Sequence, residues 1–319
     1  MRAAQFHRYG GPEVITTTTV PVPRPGRGQV LVRVRATSVN GGEVAFRAGR
    51  LRLISGRQFP RGLGMDFAGE VAEVGPGVRG TAAGDRVWGV LDSKRVLLSR
   101  APVGAAAEFL AVDAERTARL PAGLDFGDAV ALLAGSTALT ALRDKAGLEQ
   151  GERLLVRGGT GGVGHVGVQL GRAMGAHVTT LVSARNVGTA RELGADRALD
   201  YATTGPADLD EFDVVLDTVG SRMADYRRLL APGGRMVTLT VDPPLRAVGA
   251  ILASTVHGRR RIRTFSGNPT RALLTDYAAR IESDGITALV AGTYPLEEVA
   301  RAHAALEGGG APGKHVVLP

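Results

Sequence analysis

A glycine-rich stretch at residues 153–182, RLLVRGGTGGVGHVGVQLGRAMGAHVTTLV, carries the clearest chemical pattern of the sequence. Gly159, Gly161 and Gly164 have the G-x-G-x-x-G spacing between a predicted strand and a predicted helix, and a second predicted strand follows. In this order Gly159 is expected to permit a tight turn, Gly161 to admit a pyrophosphate close to the backbone, and Gly164 to let helix and strand pack closely. The stretch therefore predicts a dinucleotide site.

Two backbone groups in the same turn are expected to contact the anion. The N–H groups of Gly162 and Val163 precede the predicted helix, whose amino end carries positive partial charge. The alternative is a merely flexible glycine loop. Because strand, turn and helix follow one another in the order that a βαβ unit requires, the dinucleotide interpretation is favoured.

The residues after the second predicted strand, VSARN at 182–186, bear on which dinucleotide is preferred. Sites for NAD place an acidic residue there to bind the ribose hydroxyls, whereas a 2′-phosphate needs donors and cations. This segment has no acid and offers Ser183 and Arg185, which favours NADP(H). The alternative is that Ser183 caps the next helix and Arg185 is solvated.

Composition limits the possible chemistries. A chain of 319 residues predicts two domains, and the absence of cysteine excludes disulfides, thiolate nucleophiles and cysteine-containing zinc sites. The six histidines are dispersed, and none has ligand spacing with another. No metal site is therefore expected.

The net charge of +8 raises the question of a nucleic-acid partner. Arginines are scattered along the chain, and the one tight cluster is HGRRRIR at 257–263, so no nucleic-acid partner is expected. The longest uncharged run, at 129–142, is too short to span a bilayer, and the first residues lack the apolar stretch of a signal peptide. We expect a cytoplasmic protein without a membrane partner.

The sequence pattern differs between the first and the later part of the chain. Residues 1–122 show short β-branched runs between proline and glycine turns, which predicts a β-rich region. From about residue 150, apolar runs alternate with helical stretches, which predicts βαβ crossovers and a parallel sheet. The fold class predicted from these patterns is α/β, with a β-rich domain and a doubly wound parallel-sheet domain.

An ordered set of motifs then resembles a known family. The set comprises GLGMDFAGEV, GPGVRGTAAGDRVWG, LAGSTALTAL, GGTGGVG, ELGADRALDY, LDTVG, APGGRMV, TYPLEEVARAH and GKHVVLP. It resembles the medium-chain dehydrogenase/reductase superfamily, and more narrowly its zinc-independent quinone oxidoreductase branch. The resemblance implies a GroES-like catalytic domain, residues 1–122 and 266–319, around a Rossmann NADP(H)-binding domain, residues 123–265.

The resemblance also marks where a metal would lie. In zinc-dependent relatives the position of Met65 carries a histidine ligand and that of Asn40 a cysteine ligand. A thioether is a poor zinc ligand and an amide rarely serves, so no zinc shell is expected. We interpret GLGMDFAGEV as a structural corner beside the active cleft, where Met65 forms apolar wall and Asp66 bonds local backbone.

Without a Lewis acid, the implied chemistry is hydride transfer from NADPH to an acceptor that is already electrophilic, a quinone or an α,β-unsaturated carbonyl compound. Asn40 is a candidate amide donor to the acceptor oxygen, as the resemblance suggests for its SVN loop. Its alternative role is to bond its own turn backbone.

Other positions come from the resemblance. Thr137 matches a family threonine near the nicotinamide, with an ordinary helix hydroxyl as the alternative. Tyr201 matches an aromatic residue beside the adenine, although a buried edge tyrosine would look the same in sequence. Val219 and Gly220 follow the nicotinamide-side strand, at the carboxyl edge where parallel sheets bind ligands.

Three other functional hypotheses are distinguishable. A short-chain dehydrogenase is disfavoured because none of the five tyrosines has a lysine four residues later. An enoyl-thioester reductase of a biosynthetic pathway and a non-catalytic NADPH-binding redox sensor stay open. Relatives of this kind commonly pair through the edge strand of the Rossmann sheet, so a homodimer is expected.

Overall fold

The computed structural model describes residues 1–93, 103–240, 262–265 and 267–319. The chain divides into two compact units, Met1–Leu133 with Gly267–Ser283 and Ala288–Pro319, and Ala134–Ser266 with Asp284–Thr287. The first of these units continues to Leu133. Most of the basic cluster at 257–263 lies outside the described residues.

The strands, numbered in chain order within the described ranges, are β1 Arg2–Phe6, β2 Ile15–Thr19, β3 Gln29–Ser38, β4 Arg61–Gly62, β5 Asp66–Val74, β6 Arg86–Val90, β7 Phe109–Asp113, β8 Thr117–Arg119, β9 Arg153–Arg157, β10 His177–Val182, β11 Arg197–Asp200, β12 Phe212–Asp217, β13 Leu230–Thr238, β14 Ile262–Arg263, β15 Val290–Pro295 and β16 Lys314–Leu318.

The helices in the same ranges are α1 Gly41–Arg47, α2 Arg52–Ser55, α3 Phe126–Leu133, α4 Gly135–Leu139, α5 Gly164–Ala173, α6 Val187–Glu192, α7 Met223–Arg228, α8 Arg271–Asp284 and α9 Val299–Gly308. A π-helical segment, Thr140–Ala146, continues α4. Short 3-10 turns lie at Pro12–Val14, Ala114–Arg116, Ala184–Asn186, Pro206–Asp208 and Leu296–Glu298. Among these described helices, none has the length and apolar character needed to cross a membrane.

The first unit is built on a seven-stranded sheet in the order β15-β16-β3-β5-β6-β8, with β7 also paired to β3. Its register aligns Ser38 at the end of β3 with Asp66 on β5 and with Val316 on β16. Antiparallel pairing therefore brings the carboxyl end of β3, the amino end of β5 and β16 together. These three segments are distant in sequence and meet only because of the sheet.

Apolar packing on both sides of this sheet fixes the register. β3, QVLVRVRATS, buries Val30, Val32 and Val34 among neighbouring strands. On the other side, Tyr277 of α8 stacks on Trp88 of β6 with ring centroids 5.8 Å apart. A one-residue slip would move these side chains to the wrong face, so the hydrophobic pattern specifies the pairing.

The second unit contains a six-stranded parallel sheet in the order β11-β10-β9-β12-β13-β14. The centres of β9 and β12 are apolar, LLV and VVL, and are buried on both faces, as strands of a helix-covered parallel sheet must be. From β9 the chain adds β10 and β11 on one side of the sheet and then β12, β13 and β14 on the other, so the order of strand addition changes side between β9 and β12. The predicted α/β class, with a β-rich part and a doubly wound parallel sheet, is confirmed.

Candidate functional site

The glycine turn follows β9 at the carboxyl edge of the parallel sheet. Gly158, with φ of 75°, has the left-handed backbone of the turn, so the tight turn predicted for Gly159 is made one residue earlier. Gly159 serves another purpose, because a Cβ atom there would lie 1.8 Å from the Oγ1 atom of Thr180 on β10. A Cβ atom on Gly164 would lie 2.0 Å from the carbonyl oxygen of Gly158. Both glycines permit close packing, as expected for Gly164.

The amino end of α5 faces the open side of this turn. A Cβ atom built on Gly161 would meet one close neighbour, the carbonyl oxygen of Gly158 at 3.3 Å, and no other atom of the described residues within 4 Å. Within the described ranges, the backbone N–H groups of Gly162 and Val163 have no hydrogen-bond acceptor, and Val163 caps α5 without a side-chain bond. These donors at a positive helix end can bind an anion.

The end of β10 carries the residues that favour a 2′-phosphate. The Oγ atom of Ser183 is buried and has no hydrogen-bond partner in the described part of the chain. Arg185 is exposed on the following 3-10 turn. Asn186, in the same turn, donates to the Oγ1 atom of Thr160 at 3.3 Å, which ties this segment to the glycine turn. An unpartnered buried hydroxyl beside an exposed cation suits a phosphate oxygen.

The neighbouring strands place three further candidates at the same edge of the sheet. Tyr201 follows β11, is 61% exposed, and donates its backbone N–H to the carbonyl oxygen of Val182. Val219 and Gly220 follow β12, and Val219 is 44% exposed. Thr137 is half-buried in α4, and the predicted position beside a nicotinamide stays a prediction.

These observations fit NADPH. The turn offers unpartnered N–H donors next to Gly161, where a side chain is missing, and the β10 end offers an unpartnered hydroxyl at Ser183 with a cation at Arg185. Gly162, Val163 and the helix end would hold the pyrophosphate, and Ser183 and Arg185 the 2′-phosphate. When bound, the cofactor supplies a hydride donor.

A second cluster of chemical groups lies in the first unit, where β3, β5 and β16 meet. Asn40 donates from Nδ2 to the Oδ2 atom of Asp66 at 2.9 Å and to the Oε1 atom of Glu43 at 3.0 Å. Its Oδ1 atom accepts from the Nζ atom of Lys314 at 2.5 Å. Ser38 donates to the Oδ2 atom of Asp66 at 2.7 Å. Asn40 is half-buried, and the charged members of this cluster are buried.

Glu43 ties this cluster to the GLGMD turn. Its Oε2 atom accepts from the N–H of Gly64 at 2.9 Å, and its Oε1 atom accepts from the N–H of Met65 at 3.2 Å. Burial, opposed by the hydrogen bond from Asn40 and reinforced by the charge of Asp66, raises the pKa of Glu43 to about 7. This acid therefore changes its protonation near neutral pH.

The GLGMD turn itself is a close-packed corner, in agreement with its interpretation as structure. Gly64 has φ of 86°, and a Cβ atom there would lie 2.3 Å from the backbone nitrogen of Ala106. Met65 is half-buried beside it. Asp66 differs from the expectation, because its carboxylate accepts from Ser38, Asn40 and Lys314 rather than from local backbone. The reason is the strand register, which aligns Asp66 with Ser38.

Sequence reasoning missed Glu43 and Lys314. The signals were weak: one acid in the turn after Asn40, and one of three lysines ahead of the final apolar run. Lys314 also donates to the carbonyl oxygen of Val39 at 3.1 Å, so its three hydrogens all have acceptors. Only the pairing of β16 with β3 brings this ammonium to Asn40.

The residues of this cluster do not fit a zinc ion. The buried ammonium of Lys314 already lies between Asn40 and Asp66, and a dication there would meet like charge. Within the described residues, no group of three or more histidine, cysteine, aspartate or glutamate side chains is placed to hold a metal. Asn40 and Met65 occupy the two positions at which the resemblance places zinc ligands, and neither is a good zinc donor.

Two family models match the chain. Residues 26–122 match the alcohol dehydrogenase GroES-like domain. Residues 193–317 match a model described as zinc-binding dehydrogenase. The first match lies within the β-rich unit, and the second spans parts of both units.

Several known proteins are similar over the whole chain. The chloroplast envelope quinone oxidoreductase homolog of Arabidopsis thaliana is 32% identical, with 100% of this chain and 98% of the relative covered. The NADPH-dependent alkenal/one oxidoreductase of the same plant is 33% identical, covering 100% and 80%. The solved structure of the Escherichia coli quinone oxidoreductase complexed with NADPH has a TM-score of 0.83 at 26% identity, covering 100% of both chains.

One relative covers less. A mycocerosic acid synthase-like polyketide synthase of Mycobacterium tuberculosis is 35% identical over 224 residues, which are 67% of this chain and 10% of that protein. The similarity is therefore to a small section of a much longer enzyme.

Proposed function

The chain belongs to the medium-chain dehydrogenase/reductase superfamily, in its quinone oxidoreductase branch, and from this membership we propose its reaction. It is an NADPH-dependent oxidoreductase that transfers hydride to a quinone or an α,β-unsaturated carbonyl compound. The proposal that it does so without zinc is supported by one observation, the buried ammonium of Lys314 bonded to Asn40. A dication at this cluster would meet the like charge of the ammonium, which supports a reaction with an acceptor that is already electrophilic.

Each candidate residue of the cofactor site has a proposed role. The N–H groups of Gly162 and Val163 bind the pyrophosphate, while Ser183 and Arg185 bind the 2′-phosphate. Hydride adds to the β-carbon of an enone, the double-bond electrons move to the oxygen to give an enolate, and a proton from water adds to the α-carbon as the carbonyl group re-forms. Thr137 is proposed to line the nicotinamide end, with Tyr201 beside the adenine.

Asn40 is proposed to donate to the acceptor oxygen as negative charge develops there. Its Nδ2 atom donates to the carboxylates of Glu43 and Asp66 and lies 3.4 Å from the carbonyl oxygen of Ser38 in its own turn, so this role requires one of these bonds to be exchanged for the acceptor. The bond from Lys314 to its Oδ1 atom polarises the amide and strengthens Nδ2 as a donor. Asn40→Ala should therefore lower kcat for enones and leave NADPH binding near wild type.

The test is a substrate panel. Purified protein is given NADPH with a quinone, an alkyl enone and an enoyl thioester, and the loss of NADPH absorbance is followed. Turnover of free quinones or enones at rates above a protein-free control supports the proposal. NADPH binding without turnover of any acceptor would instead indicate a redox sensor, and alcohol oxidation that needs added zinc would refute the metal-free reaction.

A second candidate, an enoyl-thioester reductase, is favoured by the similarity to part of a polyketide synthase. Its chemistry is the same hydride addition to a β-carbon, with a thioester carbonyl in place of a ketone. The same panel separates the two, because an enzyme of this kind reduces the enoyl thioester and leaves free quinones and enones unchanged.

Assembly and location are also proposed. Relatives of the quinone oxidoreductase branch commonly pair through the edge of the parallel sheet, so we propose a homodimer paired through this sheet. A cytoplasmic location is proposed from the lack of cysteine. Light scattering at micromolar concentration tests the first, and a monomeric mass would exclude it. Cell fractionation tests the second.

A further inference from the structure

A buried ion pair joins β9 and β12, the two central strands of the parallel sheet, between which the order of strand addition changes side. Arg157 is the last residue of β9, Asp217 is the last residue of β12, and the two are aligned in the register. The Nη1 atom of Arg157 donates to the Oδ1 atom of Asp217 at 2.7 Å. Their side chains are 6% and 0% exposed. Ligands of such sheets bind outside the carboxyl ends of the strands at this change of side, where the pair lies.

The pair holds both ends of the turn after β12. The Oδ1 atom of Asp217 also accepts from the N–H of Val219 at 3.1 Å and from that of Gly220 at 3.0 Å. From the other side, the Nη1 atom of Arg157 donates to the carbonyl oxygen of Ser221 at 2.8 Å, and its Nη2 atom donates to the Ser221 hydroxyl at 3.3 Å. One guanidinium thus connects the carboxylate and the far end of the turn.

Further contacts restrict the conformation of the 218–220 turn. The hydroxyl of Thr218 donates to the carbonyl oxygen of Arg157 at 2.7 Å. Gly220 has φ of 82°, and a Cβ atom there would lie 2.6 Å from the carbonyl oxygen of Thr240. The guanidinium carbon lies 3.6 Å from the ring centroid of Tyr226, which fixes the plane of the arginine. The side chain left pointing outward is Val219.

The same two strands carry a second ion pair, which is more exposed and serves as a comparison for the buried pair. Arg153 pairs with Asp213 at 3.2 Å at the opposite ends of β9 and β12, where the side chains are 46% and 29% exposed. Such an exposed pair is inexpensive to maintain, whereas a buried pair requires desolvation of two charges and is often no more stable than apolar residues. The location of the buried pair under the turn suggests a use beyond strand cohesion.

We propose that Arg157 is a positioning residue, which holds the 218–220 turn in the shape that receives the nicotinamide end of bound NADPH. The inference rests on the proposed function for the position of the cofactor. Arg157 acts through Asp217 and Ser221, and the surface presented to the cofactor is that of Val219 and Gly220. The adenine half, bound by residues after β10 and β11, is not expected to depend on Arg157.

The test compares two ligands that share the adenine half. NADPH has both ends, and adenosine 2′,5′-bisphosphate has only the adenine end with its 2′-phosphate. Binding of each is measured by titration calorimetry for wild type, Arg157→Met, Arg157→Lys and the matched control Arg153→Met. Thermal unfolding of each variant is recorded alongside, and no substrate turnover is required.

The expected result is selective. Arg157→Met should weaken NADPH binding by about tenfold to a hundredfold, the range expected when hydrogen bonds to a charged group are lost, and leave the bisphosphate within about twofold. Arg157→Lys keeps the positive charge but loses the planar set of guanidinium donors. It should weaken NADPH binding less than Arg157→Met does, and it should fold if the methionine variant does not. Arg153→Met should match wild type for both ligands.

Two outcomes would overturn the proposal. Equal losses for NADPH and the bisphosphate in the Arg157 variants would make Arg157 a residue of general stability. Wild-type binding of both ligands would show that the turn keeps its shape without the guanidinium. Either outcome is separate from the proposed reaction, which would fail through absent turnover in a wild-type protein that binds NADPH.

Discussion

The Nζ atom of Lys314 lies 2.5 Å from the Oδ1 atom of Asn40, although the two residues are 274 positions apart in sequence. The bond fixes which way the amide of Asn40 faces, because an ammonium can only donate. Its oxygen must then point at Lys314 and its nitrogen at Glu43 and Asp66. The orientation of the proposed donor is therefore set by a residue from the last strand of the chain.

Removing the ammonium should be costly. Lys314→Met leaves the buried carboxylate of Asp66 without its cation and the Oδ1 atom of Asn40 without its donor. We expect a loss of about 3 kcal/mol or more in the free energy of unfolding, measured in urea. The control is Arg35→Met, which removes an exposed pair with Glu70 on the same sheet and should cost less than about 1 kcal/mol. Equal effects of the two substitutions would contradict the assigned role.

Glu43 should make stability depend on pH. Its pKa is about 7 in the folded chain against 4.5 ordinarily, so the folded state holds the proton more tightly. This contribution is complete below pH 4.5 and is lost as the pH rises through 7. The loss is on the order of 3 kcal/mol.

Glu43→Gln should abolish this contribution. The buried ring of His303, whose pKa is lowered to about 3 by desolvation and by Arg47, gives the opposite slope in acid. The measurement is therefore the difference between wild type and variant in urea unfolding from pH 5 to 8. Parallel curves for the two proteins would show that Glu43 does not titrate in this range.

Cofactor preference should follow Ser183 and Arg185. Arg185→Ala should weaken NADPH binding by about tenfold to a hundredfold and leave NADH little changed, since NADH has no 2′-phosphate. Ser183→Asp should move preference further toward NADH, through repulsion of the phosphate and a new acceptor for the ribose hydroxyls. The comparison is kcat/KM for both cofactors. Equal losses for NADH and NADPH would mean that Arg185 has a structural role.

Two glycines of the same turn should respond differently to alanine. Gly159→Ala places a Cβ atom against Thr180, whose hydroxyl is held by the carbonyl oxygen of Val156 at 2.8 Å, so unfolding should become easier by about 1–3 kcal/mol. Gly161→Ala meets the carbonyl oxygen of Gly158 at 3.3 Å, a much milder contact, so it should destabilise the fold less than Gly159→Ala, while its methyl group should hinder the pyrophosphate. Calorimetric unfolding and NADPH titration separate the two effects, and an equally destabilised Gly161→Ala would argue against this division.

Zinc should be absent from the active protein. Elemental analysis of purified, active enzyme should find well below one zinc per chain, and a chelator should leave turnover unchanged. The physical reason is the ammonium of Lys314 at the cluster, which a dication would have to displace. Stoichiometric zinc together with inactivation by chelator would reverse the interpretation of Asn40 and Met65.

The sequence by itself determined the dinucleotide turn and the class of the fold. Glycine spacing, a preceding apolar run and a following amphipathic stretch are local features, and each restricts the backbone of a few adjacent residues. This is why the parallel sheet and the glycine turn were predictable. Even there, only the structure assigned the left-handed position to Gly158 and the steric demand to Gly159.

Tertiary structure alone decided the two charged networks. Lys314 reaches Asn40 because β16 pairs with β3, and Asp66 reaches both because β5 pairs with the other edge of β3. Arg157 meets Asp217 because the register of β9 and β12 aligns their last residues. Strand pairing over long sequence separations is determined by the apolar surface that whole strands bury together. The type of a single charged residue therefore does not predict which residue it will pair with.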